Sequence, residues 1–285
     1  MAAALTAPAP PSPVPLHVTH HTRALVVSPH PDDAVLGAGG LIDRIVRRGG
    51  TVMVVEMTSG DGFPKGVAAV QHAAHLSPGS YRSYGSLRER EVAAALRQVG
   101  VPRSRVRMLG FPDEGMCEIA ADAPAAIFQS PYTHRDSPPA AERIEADAKY
   151  RGADVRSELA DLIIAFRPTL IIAPDASDLH PDHCATHMFV HESLDAASAR
   201  GVRVPAVAHY VIHEAPHRSD GSRFIRLPLT AAERAAKRQA IEAYRSQTTV
   251  MAAFMRSFEA PDERFAIGDR NPPAPCWCSG RNIAQ

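Results

Sequence analysis

The chain has 285 residues, of which 45% are hydrophobic and 22% charged, so it is long enough to bury a sizeable core in one large domain or two small ones. Its 31 basic and 31 acidic residues give a formal net charge of zero, which argues against an extended basic surface for nucleic acid or an anionic membrane. No run of 18 apolar residues occurs, so the sequence predicts no stable membrane insertion.

The two ends of the chain differ in composition from its middle. Residues 1–20 are predicted to be a disordered leader rich in Ala and Pro, without the basic and apolar regions of a signal peptide. Residues 21–260 are predicted to form the folded domain, and residues 261–285 an extended arm containing Pro272-Pro273-Ala274-Pro275. A cytoplasmic location is the resulting expectation.

The spacing of the four cysteines matches no zinc ribbon or zinc finger. They are Cys117, Cys184, Cys276 and Cys278. We therefore expect no disulfide framework. Cys276 and Cys278 are expected to be incidental free thiols, and a vicinal redox pair or a metal contact is the alternative.

Apolar runs alternate along the chain with segments of helical periodicity. Strands are predicted near residues 24–28, 51–57, 105–109, 170–173, 206–212 and 224–227. Helices are predicted over residues 36–48, 87–99, 154–166, 182–199 and 230–245. Residues 61–83 and 112–150 are predicted to be long irregular segments. This alternation predicts an α/β chain with a Rossmann-like three-layer fold and a mostly parallel central sheet.

Two clusters of ligand-type side chains directly follow apolar runs of the strand type. His30-Pro31-Asp32-Asp33 comes after the first predicted strand, and His180-Pro181-Asp182-His183 comes after the strand at 170–173. Open α/β folds bind their ligands at the carboxyl ends of the strands. If the two strands are neighbours, both clusters reach the same edge of the sheet.

These two clusters resemble those of the LmbE-like family, the zinc-dependent N-deacetylases related to the PIG-L N-acetylglucosaminyl-phosphatidylinositol de-N-acetylases. Thr58-Ser59-Gly60-Asp61-Gly62, Arg88-Glu89-Arg90-Glu91 and Phe111-Pro112-Asp113 follow in the order that this family shows. The resemblance covers about residues 23–200. One position departs from it, because Ala34 stands where the family usually has Glu after the paired Asp, which removes a carboxylate near the site.

Zinc in hydrolytic sites takes three protein ligands and keeps an open position for water. His30, Asp33 and His183 meet this requirement, and the resemblance implies the same set, with one zinc ion, or another divalent metal, per chain. Asp32 is then left beside the metal, and we assign it as the general base for the attacking water. His180 is assigned to the tetrahedral oxyanion, a role that the resemblance also implies.

Three further residues are assigned to the surroundings of the metal. Asp182 is expected to orient a histidine ligand. Arg88 forms by default a surface ion pair with Glu91, whereas the resemblance places it at the hydroxyl or phosphate groups of a substrate. Asp113 is either a turn residue or an acceptor for a sugar hydroxyl. Asp32 and Asp33 also have a plainer interpretation as caps of the following helix.

Taken together, the motifs predict a zinc-dependent hydrolase that removes an N-acetyl group from an amino-sugar or glycoconjugate substrate. An amidase for another acyl group or a thiol conjugate keeps the same chemistry, and a non-catalytic glycoconjugate-binding relative is the alternative that Ala34 supports. A dinucleotide-binding protein is a weaker alternative, suggested by Gly37-Ala38-Gly39 and Glu56, since a diphosphate would meet two carboxylates at the helix start. Homo-oligomerisation stays open.

Overall fold

The computed structural model describes residues 16–122, 125–214, 224–267 and 278. The strands are β1 (Arg23–Ser28), β2 (Thr51–Thr58), β3 (Val106–Phe111), β4 (Leu170–Pro174), β5 (Ala206–Tyr210), β6 (Phe224–Pro228) and β7 (Asp262–Ile267). The helices are α1 (Asp33–Arg47), α2 (Pro64–Gln71), α3 (Pro78–Gln98), α4 (Met116–Ala121), α5 (Gly152–Phe166), α6 (Pro181–Ala199), α7 (Ala231–Ala243) and α8 (Arg245–Ser257).

The seven strands form one sheet in the order β3-β2-β1-β4-β5-β7-β6. The pairings from β3 through β5 are parallel, and β7 pairs antiparallel with both β5 and β6. β1 pairs with β4 in a register that aligns Ala24 with Leu170. The chain therefore reverses its direction of winding between β1 and β4, where open α/β folds form their ligand crevice.

Helices cover both faces of the sheet, because the central strands are apolar on both sides. In β1, Ala24 and Val26 pack into the core beneath α1, α3, α7 and α8, whereas Leu25 and Val27 pack into the core beneath α4, α5 and α6. Strands of this kind occur in parallel sheets that are buried on both faces. The predicted three-layer α/β fold with a mostly parallel sheet is confirmed.

The segment 61–83, expected to be irregular, instead contains α2 and the first turns of α3. Pro64 and Pro78 each occupy one of the first positions of a helix. Proline is favoured there because its missing N–H is not needed for an intrahelical hydrogen bond. Ser77 and Ser80 add a reciprocal capping box at the start of α3. The prolines that suggested a loop thus begin two helices.

Residues 262–267, expected to belong to an extended arm, form β7 inside the sheet. Glu263 lies in this strand with only 3% of its surface exposed. Its carboxylate accepts hydrogen bonds from Lys237 Nζ at 2.8 Å and from the backbone N–H groups of Gly40 at 2.7 Å and Leu41 at 2.9 Å. A buried carboxylate is stable when it is paired and hydrogen-bonded, so a tertiary contact makes this charged segment a strand.

The expectation that the cysteines form no disulfide is wrong. Cys117, at the start of α4, is bonded to Cys278 across 161 residues of chain, and none of the described cysteines is a free thiol. Spacing along the chain does not reveal which cysteines pair. Disulfides are rare in reducing compartments, so the bond is at odds with the cytoplasmic location expected from the sequence.

The predicted leader lies outside the described residues up to residue 15, as does the predicted arm beyond 267, with the exception of Cys278. Among the described residues, none of the helices has both the length and the apolar character needed to span a bilayer.

Candidate metal centre and active site

The two predicted clusters meet at the carboxyl ends of β1 and β4. Ser28 Oγ donates to the carbonyl of His30 at 2.6 Å and accepts from the N–H of Ala34 at 3.1 Å, which fixes the turn between β1 and α1. His183 lies in the first turn of α6, directly after the loop that follows β4. Neighbouring strands thus bring two stretches of chain, 150 residues apart in the sequence, to one place.

His30, Asp33 and His183 converge on a common point. Asp33 Oδ2 lies 3.1 Å from His30 Nδ1 and 3.0 Å from His183 Nε2, and the two imidazole nitrogens are 3.3 Å apart. Four-coordinate zinc, with bonds of about 2.0–2.1 Å, needs ligand atoms about 3.4 Å apart. The three side chains are buried and their donor atoms fit a metal of this kind.

The pKa values of these groups follow from their mutual contacts. Burial lowers the pKa of His183, but Asp178 and Asp33 outweigh burial and raise it to about 9. Burial also opposes a charge on His30, yet Asp113 and neighbouring carboxylates hold its pKa well above the ordinary value. Although burial raises the pKa of Asp33, the two histidines keep it well below its usual range. Without a metal, the cluster is a set of buried ion pairs.

Metal binding is expected to release protons and to strengthen as pH rises. Because the pKa of His183 lies at about 9, above the ordinary value of 6.5, this imidazole carries a proton at pH 7 that a metal must displace. The ion pairs of His183 also stabilise the folded protein. This contribution to the free energy of unfolding is fully present below pH 6.5 and is lost as the pH rises through about 9. Calorimetric zinc titration at pH 7 in buffers of different ionisation enthalpy measures the released protons, and a heat that is independent of buffer would contradict this expectation.

Asp178, which was not predicted as a site residue, holds His183 in place. Its Oδ2 lies 2.9 Å from His183 Nδ1 and accepts the N–H of Ile212 at 2.8 Å, while its Oδ1 accepts the N–H of His180 at 3.0 Å. A carboxylate acceptor at Nδ1 leaves Nε2 to coordinate a metal. The only signal in the sequence was a carboxylate shortly before the second cluster.

Asp178→Asn is expected to weaken metal binding by about 10–100-fold, the usual effect of losing the partner of a histidine ligand. The amide keeps the size of the side chain but replaces one acceptor oxygen with a donor group. Competition with a chromophoric chelator measures the affinity. Asp161→Asn, at a half-exposed surface ion pair with Arg200, is the matched control. An unchanged affinity in Asp178→Asn would contradict this role.

Asp182 was expected to orient a histidine, but its hydrogen bonds go to the backbone of the loop before α4. It accepts the backbone N–H groups of Glu114 at 2.7 Å and Met116 at 3.1 Å, and its Oδ2 lies 3.5 Å from His30 Nε2. Its contacts anchor the loop before α4 beneath the site. The orienting role stays a prediction for Asp182, whereas Asp178 makes the shorter contact with a histidine.

Asp32 lines the same cavity as His30 and Asp33 and pairs with Arg88. Arg88 donates from Nη2 to Asp32 Oδ1 at 2.9 Å and from Nη1 to the carbonyl of Gly60 at 2.9 Å. Asp32 makes no side-chain capping hydrogen bond to α1. Arg88 is only 4% exposed, so the plain interpretation as half of a surface ion pair with Glu91 is wrong. Glu91 is itself buried and accepts from Ser246.

His180 is the N-cap of α6, a position that the sequence had suggested for Asp182. Its Nδ1 accepts the N–H of Asp182 at 3.3 Å. Because Nδ1 is the acceptor, the proton of the neutral ring lies on Nε2. The side chain is 21% exposed, and its Nε2 lies 3.5 Å from Glu114 Oε1.

Asp113 contacts His30 at the ring nitrogen that faces away from Asp33 and His183. Its Oδ1 lies 3.0 Å from His30 Nε2, and its Oδ2 accepts the N–H of Gly62 at 2.6 Å. Burial raises the pKa of Asp113, but His30 and Arg88 outweigh it and lower the pKa to about 2. Asp113 therefore carries a negative charge at neutral pH.

A cavity of about 230 Å³ opens above the cluster. The predicted site residues in its wall are His30, Asp32, Asp33, Arg88, Asp113 and His180. No motif in the sequence marks the remainder of the wall, which consists of Leu36, Phe63, Glu114, His213, Gln247, Met251 and Phe254. Three of these residues lie on α8, a helix without a motif, so only the fold brings them to the site.

The glycines after the first cluster pack helices together and do not form a phosphate site. A Cβ at Gly37 would lie 2.6 Å from the ring of Tyr210, and one at Gly40 would lie 2.5 Å from the side chain of Leu229. Glu56 has no exposed surface, so its carboxyl group is not accessible to a ribose. These contacts remove the basis of the dinucleotide-binding alternative.

Comparison with known proteins identifies the family of the chain. The model of the PIG-L family, described as GlcNAc-PI de-N-acetylase, matches residues 25–194, which is more than half of the chain and includes both clusters. The chain belongs to the PIG-L family. The resemblance inferred from the motifs is thereby confirmed.

Relatives of this PIG-L chain include two proteins named 1D-myo-inositol 2-acetamido-2-deoxy-alpha-D-glucopyranoside deacetylase. The one from Mycobacterium sp. (strain KMS) is 32% identical over 177 residues, covering 61% of this chain and 51% of the relative. The one from Rhodococcus opacus (strain B4) is 31% identical over 180 residues, covering 61% and 54%. The matches span about half the length of these curated relatives.

Solved structures share the fold at lower identity. The N,N'-diacetylchitobiose deacetylase of Pyrococcus horikoshii has a TM-score of 0.56 at 21% identity, covering 87% of this chain and 84% of that one. The zinc-inhibited form of the teicoplanin deacetylase Orf2 has a TM-score of 0.56 at 20% identity, covering 89% and 100%. GalB, a 4-carboxy-2-hydroxymuconate hydratase from Pseudomonas putida KT2440, also matches, with a TM-score of 0.54 at 18% identity, covering 89% and 98%. A shared fold therefore leaves the reaction to be argued from the site.

Proposed function

We propose that this protein is a zinc-dependent hydrolase that removes an N-acetyl group from an amino-sugar-containing substrate. The observation that carries the proposal is the convergence of three atoms of types that ligate metals, 3.0–3.3 Å apart, at the wall of a cavity that Asp32 also lines. Membership of the PIG-L family and the deacetylase names of the relatives support it.

His30, Asp33 and His183 would hold one zinc ion, with Asp178 fixing the orientation of His183. When bound there, zinc lowers the pKa of water to about 7 and polarises the carbonyl of an amide. The family usually has Glu at the position of Ala34, but Ala34 is none of the three donors and is fully buried. Its presence therefore leaves this ligand set complete.

Asp32 would accept the proton from the attacking water. Its Oδ1 is held by Arg88, which keeps the carboxylate turned toward the cavity and leaves its other oxygen for the water. A general base works when it lies within about 2.6–3.2 Å of the proton that it removes. Arg88 is thus a positioning residue for Asp32 as well as part of the cavity wall.

His180 would stabilise the oxyanion of the tetrahedral intermediate. Its Nε2 carries the proton because Nδ1 accepts from the backbone, so the ring is prepared to donate a hydrogen bond. The departing amine would take the proton that Asp32 accepted from the attacking water. The exposed edge of His180 lies in the cavity wall, where a substrate reaches it.

Arg88 and Asp113 are proposed to contact hydroxyl groups of the sugar, since both are charged and lie in the cavity wall. Their ties to Asp32 and His30 would couple substrate binding to the metal site. The same wall would accept a longer acyl group or a thiol conjugate, so these stay the alternative substrates. Homo-oligomerisation stays a prediction, and so does the cytoplasmic location, against which the disulfide between Cys117 and Cys278 counts.

A panel of N-acetylglucosaminyl compounds tests the proposal, with release of acetate and a free amine as the readout. It includes N,N'-diacetylchitobiose and 1D-myo-inositol 2-acetamido-2-deoxy-alpha-D-glucopyranoside, alongside longer N-acyl analogues. Zinc-dependent release that is retained in Asp161→Asn and lost in Asp32→Asn supports it. If the zinc-loaded protein binds these compounds without releasing acetate, the non-catalytic alternative replaces the deacetylase.

A further inference from the structure

We propose that a second divalent transition-metal ion binds between α6 and β5, at a cluster formed by His187, His191 and His209. His187 and His191 are four residues apart on α6, so they lie on one face of the helix. His209 comes from β5, which neighbours β4 in the sheet. None of the three belongs to the predicted zinc site or lines its cavity.

The three imidazoles are in mutual contact. The ring centroids of His187 and His191 are 4.5 Å apart, those of His187 and His209 are 4.9 Å apart, and those of His191 and His209 are 5.3 Å apart. One ring nitrogen of each residue lies within 4.8 Å of those of the other two. Zinc bonds of about 2.0–2.1 Å need nitrogens about 3.4 Å apart, so binding an ion would require the rings to rotate toward one another wherever their nitrogens are farther apart than this.

The backbone sets the tautomer of two of these rings. His187 Nδ1 lies 3.0 Å from the carbonyl oxygen of Pro174, and His209 Nδ1 lies 3.2 Å from the same atom. A carbonyl oxygen only accepts hydrogen bonds, so both Nδ1 atoms carry the proton. In the neutral rings Nε2 is then the nitrogen that would bind an ion. Histidine ligands of metals characteristically donate their other N–H to a backbone carbonyl in this way.

The donor set defines the class of ion. Three imidazole nitrogens suit Zn²⁺, Ni²⁺ or Cu²⁺, whereas Mg²⁺ and Ca²⁺ prefer oxygen ligands. His187 is 3% exposed and His209 is fully buried, while His191 is half-buried and provides the path to solvent. Three protein ligands leave a fourth position for water.

An ion at this place would link the helix that carries His180 and His183 to the sheet. His187 follows His183 by one helical turn, and Pro174 ends β4, the strand that leads into the loop before α6. The second ion would therefore stabilise the part of the chain that presents two residues of the catalytic cluster. Its expected role is structural, because it shares no ligand with that cluster.

Zinc titration of full-length, chelator-treated His183→Ala tests the three-histidine site, because this variant lacks one of the three proposed ligands of the zinc site formed by His30, Asp33 and His183. We expect one saturable equivalent of zinc, measured by calorimetry. Adding His191→Gln removes a proposed ligand and should reduce the zinc affinity by more than about 100-fold. Loss of a residue that only hydrogen-bonds a ligand costs about 10–100-fold. Adding His75→Gln, which removes an exposed histidine, should leave the affinity unchanged. His209→Gln, which removes the proposed ligand on β5, should reduce the zinc affinity in the same way as His191→Gln.

A rise in melting temperature with added zinc provides the second measurement, because an ion that binds the folded state stabilises it. The rise should occur in His183→Ala and disappear when His191→Gln is added, while circular dichroism reports that both are folded. The proposal is overturned if His183→Ala binds no zinc, if His191→Gln and His209→Gln leave its binding unchanged, or if His75→Gln abolishes it. None of these readouts depends on deacetylase activity.

Discussion

Asp32→Asn should retain its metal and lose about 10²–10⁴-fold in kcat, the range that general-base catalysis contributes. Asn has the shape of Asp and keeps an oxygen that can accept from Arg88, but its amide does not take a proton from water. Metal content by elemental analysis and acetate release by coupled assay are measured on the same preparation. Near-normal turnover with full metal content would show that another group removes the proton.

The first control tests whether Asp32→Asn stays folded, because the substitution removes the charged partner of Arg88. Removing a buried partner leaves an unpaired charge and destabilises a protein by about 3–5 kcal/mol. Arg88 and Asp32 are both buried, so a melting curve must show that Asp32→Asn is folded at the assay temperature. Asp161→Asn, whose ion pair with Arg200 lies at the surface, should change neither kcat nor metal content.

His183→Ala is expected to bind one equivalent of zinc less than the wild type and to fall to the detection limit in acetate release. The substitution removes His183 Nε2, which lies 3.0 Å from Asp33 Oδ2 and 3.3 Å from His30 Nδ1. Only two of the three proposed metal ligands then remain. A hydrolytic zinc site needs three protein ligands. Elemental analysis after dialysis against a zinc buffer measures the difference.

His183→Gln accompanies this variant, because Asp178 and Asp33 are buried and lose a cationic partner when the ring is removed. The Gln side chain offers Asp178 an amide donor and lowers the risk of unfolding. Exposed His75, replaced by Gln, controls for the loss of one histidine. If folded His183→Ala and His183→Gln both hold as much zinc as the wild type, the ligand set is wrong.

Much of the architecture could be predicted from local patterns in the sequence. Apolar runs such as residues 24–27 and 170–173 are long enough and flanked clearly enough to be recognised as buried strands. The capping box that begins at Thr230 marked the start of α7, and the structure has both of its hydrogen bonds. The prolines at 64 and 78 misled the prediction, since the same residue begins a helix or interrupts one depending on position.

The side chains expected in the metal site were recognisable because each cluster lies within four consecutive residues. Whether the two clusters meet depends on strand order, and only the pairing of β1 with β4 brings His183 to His30. The same applies to Asp178, whose role is visible only in its contacts with His183 and Ile212. Arg88 was by default predicted to lie at the surface, and only the folded structure shows that it is buried and paired with Asp32.

The sequence by itself determined the fold class, the family and the two clusters of ligand-type residues, because these depend on periodicity and on short motifs. The tertiary structure decided the partners of buried charges, the disulfide between Cys117 and Cys278, and the cluster of three histidines between α6 and β5. Each of these joins residues distant in the chain. Their pairing depends on which surfaces the folded chain buries together, and no local pattern of side chains encodes it.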